Sequence, residues 1–118
     1  MSKILIVDDE PLVRRTIHRV LAEHEIIEVP NGGDALEALS VHDDIELILC
    51  DILMPDITGM ELYEQAGLLR PELQKLFVFV TGGTLTAEIE AFIASVDNPV
   101  LRKPFGVAQL RDVVARFI

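Results

Sequence analysis

Glu46-Leu47-Ile48-Leu49-Cys50-Asp51-Ile52-Leu53-Met54-Pro55 decides how this chain is read. The run Leu47 to Cys50 is apolar on successive residues, so both faces of an extended segment would be covered. Strands of that kind belong to parallel sheets sandwiched between helices. The run ends at Asp51. Ligands of such sheets bind beyond the carboxyl ends of the strands, which makes a carboxylate at that point a candidate for chemistry. Two other strand-like runs end in charge. Asp8-Asp9 closes the first, and Lys103-Pro104 follows the last.

Working outward from this stretch, apolar residues alternate between strand and helix periods. Lys3 to Asp8 reads as a buried strand, and Pro11 suits the first turn of a helix bearing Leu12, Val13, Thr16, Ile17, Val20 and Leu21. Glu25 to Val29 predicts a second strand, and Asn31-Gly32-Gly33 a turn that caps a helix with the stripe Ala35, Leu36, Leu39. Glu46 to Asp51 is the third strand. Thr58-Gly59-Met60-Glu61 has capping-box spacing, which starts a third helix near Gly59 that runs toward Leu69 and ends at Arg70-Pro71. Lys75 to Thr81 predicts the fourth strand, broken by Gly82-Gly83. Thr84 or Thr86 caps a fourth helix with the stripe Ile89, Phe92, Ile93, Val96. Asp97-Asn98-Pro99 turns into a short fifth strand, Val100-Leu101-Arg102, and the last helix carries Val107, Leu110, Val113, Val114, Phe117 and Ile118. Five βα repeats with short connections predict an α/β doubly wound parallel sheet in a single domain, 1–118.

Composition narrows the function. Twenty acidic and ten basic residues give a net charge of -10, which disfavours direct binding to nucleic acid or to anionic membranes. No apolar run approaches the roughly 18 residues of a membrane span. The apolar run Ile4 to Val7 is too short for the core of a signal peptide. A lone cysteine, Cys50, excludes an intrachain disulfide, so a cytoplasmic location is expected. Its position beside Asp51 points it away from the site, as a small core residue. His18, His24 and His42 are scattered and read as surface residues, as does Asp56 after Pro55.

Asp8, Asp9, Asp51, Thr81 and Lys103 all fall at strand ends. Clustered carboxylates repel one another and any incoming phosphoryl group. A hard divalent cation with oxygen ligands, magnesium or else manganese, removes that repulsion. Asp9 and Asp51 are the expected direct ligands, Asp8 direct or through water, with a backbone carbonyl from Leu53. Asp51 would then attack phosphorus, while Lys103 and the Thr81 hydroxyl donate to phosphoryl oxygens.

Ile6-Val7-Asp8-Asp9-Glu10, Asp51-Ile52-Leu53-Met54-Pro55, Gly59, Thr81-Gly82 and Lys103-Pro104-Phe105, in this order, strongly resemble the receiver domain of two-component response regulators. The resemblance covers Lys3 to Ile118 and implies a flavodoxin-like sheet of order 2-1-3-4-5. It further implies that Asp51 accepts a phosphoryl group, in a magnesium-dependent reaction, from a sensor histidine kinase or a histidine phosphotransfer protein. The domain would act on its own phosphoryl group and on no external substrate. Thr81 would then move inward and shift the face of the fourth helix, fifth strand and fifth helix toward a downstream protein target. The Lys103–Pro104 bond is commonly cis in this family.

One position departs from the pattern. The family usually carries Tyr or Phe three residues before the lysine, where this chain has Val100. Valine has no ring to swing, so output must follow another route, or the domain passes phosphate along. Gly82-Gly83 and Asn98-Pro99 look similar to receivers attached to hybrid histidine kinases. A stand-alone receiver and a piece of a longer protein both fit. A flavin binder of the same topology would need a phosphate-cradling loop where Asp8-Asp9-Glu10 stands. An aspartyl-phosphate hydrolase would need a second acid where Leu53 stands. A degenerate receiver that only binds protein is the remaining alternative.

Overall fold

The computed structural model describes residues 2–83 and 85–118. Strands and helices alternate as β1 (Lys3–Val7), α1 (Pro11–Val20), β2 (Glu25–Val29), α2 (Gly32–Val41), β3 (Ile45–Asp51), α3 (Gly59–Leu69), β4 (Phe77–Thr81), α4 (Ala87–Ser95), β5 (Val100–Arg102) and α5 (Val107–Val114). A 3-10 helix, Pro71–Leu76, lies between α3 and β4. All strand pairs are parallel, in the order β2-β1-β3-β4-β5. The expected doubly wound topology is therefore present.

Strand alternation sorts the core into two layers. Ile4, Ile6, Leu47, Leu49, Val78 and Val80 face Ile17 and Leu21 near α1, and Leu110, Val113 and Val114 of α5. Leu5, Val7, Ile48, Cys50, Phe77 and Phe79 face Ala35 and Leu39 of α2, Leu62 and Ala66 of α3, and Ile89 of α4. This two-sided burial explains the continuous apolar runs of the inner strands. Register then brings the strand ends together. Val7 pairs with Cys50, Asp51 with Val80, and Thr81 with Arg102, so Asp8, Asp51 and Thr81 lie along one rim.

Helix starts follow local chemistry. The Asn31 side chain accepts from the Asp34 N–H at 2.8 Å, so Gly32 and Gly33 fall inside α2 rather than in a turn before it. Thr58 and Glu61 form the expected capping box, with both bonds at 3.1 Å. Thr86 caps α4 through the Ile89 N–H, while Thr84 lies outside the described residues. The first strand ends at Val7 and the third starts at Ile45, each one residue from the sequence reading, and two further boundaries differ by more. The fourth strand starts at Phe77 because Pro71 opens a helical turn through Lys75 and Leu76, with Leu73 buried beneath it. The last helix stops at Val114, and Phe117 packs against the core from the turn beyond.

Gly59 fixes α3 against the rim. A Cβ there would sit 2.7 Å from the Asp51 carbonyl oxygen and 2.9 Å from the Ile52 Cα, both backbone atoms that cannot step aside. The Gly59 N–H also donates to the Ile52 carbonyl at 2.8 Å. Gly59→Ala is expected to lower unfolding free energy by about 1–3 kcal/mol, read by urea denaturation. Unchanged stability would mean that α3 shifts freely away from β3.

Candidate functional site

Asp51 ends β3 and is 5% exposed; Asp8, just past β1, is 2% exposed. Asp9 and Glu10 are exposed beside them. Carboxylate oxygens of Asp8, Asp9, Glu10 and Asp51 lie within 4.8 Å of one another. From the loop after β5, the Lys103 ammonium reaches Asp8 Oδ2 at 3.2 Å, Asp51 Oδ2 at 3.3 Å and Glu10 Oε1 at 3.0 Å. The Lys103–Pro104 bond is cis. Gly82 lets the lysine stem lie close, since a Cβ there would meet Lys103 at 3.3 Å. Leu53 donates its N–H to Asp51 Oδ1 at 3.2 Å, and its side chain is exposed at the mouth. Asp9, Glu10, Asp51, Leu53 and Lys103 line an open groove of about 720 Å³ that continues over α1 and Phe105.

The carboxylates are electrostatically loaded. Burial, then the charge of Asp8, pushes the Asp51 carboxyl up from 3.8 to about 6, with Lys103 and the Leu53 N–H opposing. Burial also raises Asp8, against the Glu10 N–H at 2.9 Å and Lys103. Burial alone would lower the Lys103 ammonium, but the three carboxylates around it outweigh that and raise it, so it stays charged. A cluster of hard oxygen donors with excess negative charge fits magnesium or manganese.

Thr81 closes β4 on the same rim and is 2% exposed. Its Oγ1 has no hydrogen-bond partner among the described residues. A hydroxyl buried this way costs stability, and a phosphoryl oxygen is the kind of acceptor it lacks. Thr81→Val keeps the shape and removes the stranded group. It is expected to hold or raise unfolding free energy, by up to about 2 kcal/mol, in urea titrations. A clear loss would show that the hydroxyl already has a partner.

The site residues read from sequence, Asp8, Asp9, Asp51, Leu53, Thr81 and Lys103, thus come together at one rim. Glu10 was not among them, although it sits against Lys103 across 93 residues of sequence. Its place in Asp8-Asp9-Glu10 was the available signal. Asp56 is exposed as expected, yet its carboxylate accepts from Gly32 and Gly33 at the start of α2, and the N–H groups around it hold it below the usual carboxylate range. The histidines do not converge. Rather than lying free on the surface, they are half-buried, with His18 bound to Glu28 at 2.6 Å. Cys50 is fully buried on the face opposite Asp51, and burial pushes its thiol well above its ordinary value.

Val100 pairs in register with Phe79 and packs against an aromatic cluster. The Phe79 ring centroid lies 5.1 Å from that of Phe92 in α4 and 5.6 Å from that of Tyr63 in α3, and the Tyr63 centroid lies 5.4 and 5.5 Å from those of Phe77 and Phe92. The aromatic mass beneath α4 is therefore supplied by β4, α3 and α4.

Comparison with known proteins agrees with this geometry. The family model described as the response regulator receiver domain matches residues 4–115. The response regulator receiver protein CpdR of Brucella abortus is 34% identical over 116 residues, covering 97% of this chain and 92% of that protein. The transcriptional regulatory protein BtsR of Escherichia coli is 35% identical over 119 residues, covering 98% of this chain but only 48% of BtsR. The chain thus spans nearly all of one relative and about half of the other. A crystal structure of a CheY-like response regulator receiver domain protein from Methanospirillum hungatei superposes with a TM-score of 0.86 at 28% identity, covering 98% of this chain and 92% of that one. The chain belongs to the receiver domains of response regulators, the phosphoacceptor modules of two-component signalling.

Proposed function

We propose that Asp51 is the phosphoacceptor, and that the whole chain, 1–118, works as one receiver domain. The observation that carries this is the placement of Asp51, buried at the end of β3 with Lys103 Nζ at 3.3 Å and an acidic cluster around it. A carboxylate oxygen of Asp51 attacks phosphorus in line. A new P–O bond forms as the P–N bond of a phosphohistidine, or the P–O bond of acetyl phosphate, breaks and its electron pair leaves with imidazole or acetate. Lys103 donates to one phosphoryl oxygen and Thr81 to another, both gaining partners as charge arrives. Asp9 and Asp51, Asp8 directly or through water, and the Leu53 carbonyl would hold magnesium, or manganese, which supplies neutralising charge at the phosphoryl oxygens.

Receiver domains take phosphate from histidine kinases or phosphotransfer proteins, and such a donor is the proposed partner here. A downstream protein target completes the relay. The net charge of -10 supports neither direct nucleic-acid binding nor an anionic membrane surface. Among the described residues no helix is long and apolar enough to cross a membrane. A single buried thiol suits the reducing cytoplasm. The domain turns over only its own phosphoryl group. With valine at position 100, output passes through Phe79, which shares the Thr81 face of β4, to Phe92 on α4.

The test is incubation with acetyl phosphate, with and without magnesium, read by intact-protein mass spectrometry. A single phosphoryl adduct that requires magnesium is expected. Asp9→Ala should need at least about tenfold more magnesium for half-maximal labelling, given the usual effect of losing a ligand-shell group. Labelling that ignores magnesium, or an unchanged requirement in Asp9→Ala, would overturn the metal assignment.

A further inference from the structure

The loop between β3 and α3 carries Leu53, and a backbone carbonyl serves a small cation only if it is held in place. Asp56 stands three residues beyond Leu53, outside the acidic cluster of Asp8, Asp9, Glu10 and Asp51. Its two carboxylate oxygens accept separately from the Gly32 N–H at 3.4 Å and the Gly33 N–H at 3.3 Å. Those are the first two N–H groups of α2, and the Asn31 side chain takes the third, from Asp34. Free N–H groups and the helix dipole favour a carboxylate at that point. Ile57 closes the same joint, since a Cβ on Gly32 would overlap its side chain.

Little slack separates this anchor from Leu53. Pro55 fixes its own φ, and the residue before a proline, Met54, is barred from much of its backbone range. Met54 is buried in the core, and the Gly59 N–H is bonded to the Ile52 carbonyl. Between those points, Asp56 is the residue whose polar side chain ties the loop to another element. Cations differ in the slack they tolerate. Magnesium demands near-ideal octahedral geometry at about 2.0–2.1 Å, while calcium accepts flexible shells of oxygen ligands.

We infer that Asp56 is a positioning residue that sets the metal specificity of the site: by fastening the loop after β3 to the first turn of α2, it keeps the Leu53 carbonyl stiff enough to favour magnesium over calcium. The inference rests on the proposed metal site of Asp8, Asp9, Asp51 and the Leu53 carbonyl. Asp56 acts through the backbone and not as a ligand. Its charge attracts two divalent cations alike, so the ratio of their affinities reports geometry rather than charge.

The test is calorimetric titration of the whole chain with magnesium chloride and, separately, calcium chloride, with no phosphodonor present. In Asp56→Ala the magnesium-to-calcium affinity ratio should fall about tenfold, the scale of losing a group that orients a ligand. It should fall less in Asp56→Asn, whose amide oxygen still accepts one N–H. Gly32→Ala leaves every loop residue and every charge in place but pushes Ile57 off α2, and it should lower the ratio too. Should Asp56→Ala fail to fold, the other two variants decide. An unchanged ratio would overturn the inference even where both affinities drop together, because lost charge or general loosening weakens the two cations alike. Wild type that binds neither cation would sink the metal site itself, and the inference with it. Wild type that binds magnesium beside variants of unchanged ratio would leave the metal site standing and remove Asp56 from it.

Discussion

Asp51→Asn is expected to carry no phosphoryl group from acetyl phosphate under conditions that label wild type to completion. The amide offers no anionic oxygen to attack phosphorus. The neighbouring acids are poor substitutes, because Asp8 is locked by the Glu10 N–H and Lys103 and Asp9 stands in solvent. An adduct retained in the variant would move the acceptor to one of them. The same substitution should change stability. Asp51 titrates near 6 in the folded chain against an ordinary 3.8, because burial and Asp8 disfavour its charge. An acid whose folded value is raised binds more protons folded than unfolded between the two values. Stability therefore falls as pH climbs from about 4 to about 6 and stays lowered above that. Asparagine has no charge to desolvate. In magnesium-free buffer the variant should exceed wild type at pH 7 by an amount on the order of 2 kcal/mol, with the difference closing toward pH 4. Magnesium should narrow the gap by binding wild type. Parallel pH profiles of Tm for the two proteins would contradict this account.

The second large effect is expected in the core. Phe79 is fully buried and contacts Tyr63, Phe77 and Phe92 in one cluster. Phe79→Ala should lower unfolding free energy by about 3–5 kcal/mol, through lost transfer energy and a cavity shared by three elements. For a domain whose whole stability is about 5–15 kcal/mol, that loss separates a folded sample from a fraying one. Urea midpoints decide it. A cost below about 1 kcal/mol would mean that α4 collapses onto β4, and the proposed route from Thr81 to α4 would lose its physical basis.

The inner strands could be read in the sequence because burial on both faces leaves continuous apolar runs, as in Leu47 to Cys50. The start of α3 was equally plain, because the capping box is local. The rim residues were legible once strand ends were located, since parallel topology collects them. Pro71 to Leu76 was not, because Lys75 and Leu76 suit a strand extension as well as a helical turn. Glu10 was missed for a different reason. Its partner Lys103 is 93 residues away, and only the folded rim shows that three carboxylates share one ammonium. The aromatic cluster has the same character, since Tyr63, Phe79 and Phe92 come from three elements that no local pattern connects.

Cys50 gives the molecule a built-in clock. The thiol lies at the middle of the sheet on β3, fully buried, with its Sγ 3.3 Å from the Asp51 carbonyl oxygen. No thiol reagent can reach it without prising the central strand from its cover. The rate of alkylation therefore counts excursions to the open chain. Any ligand that tightens the rim will slow that count, without a dye, a tag or a mutation.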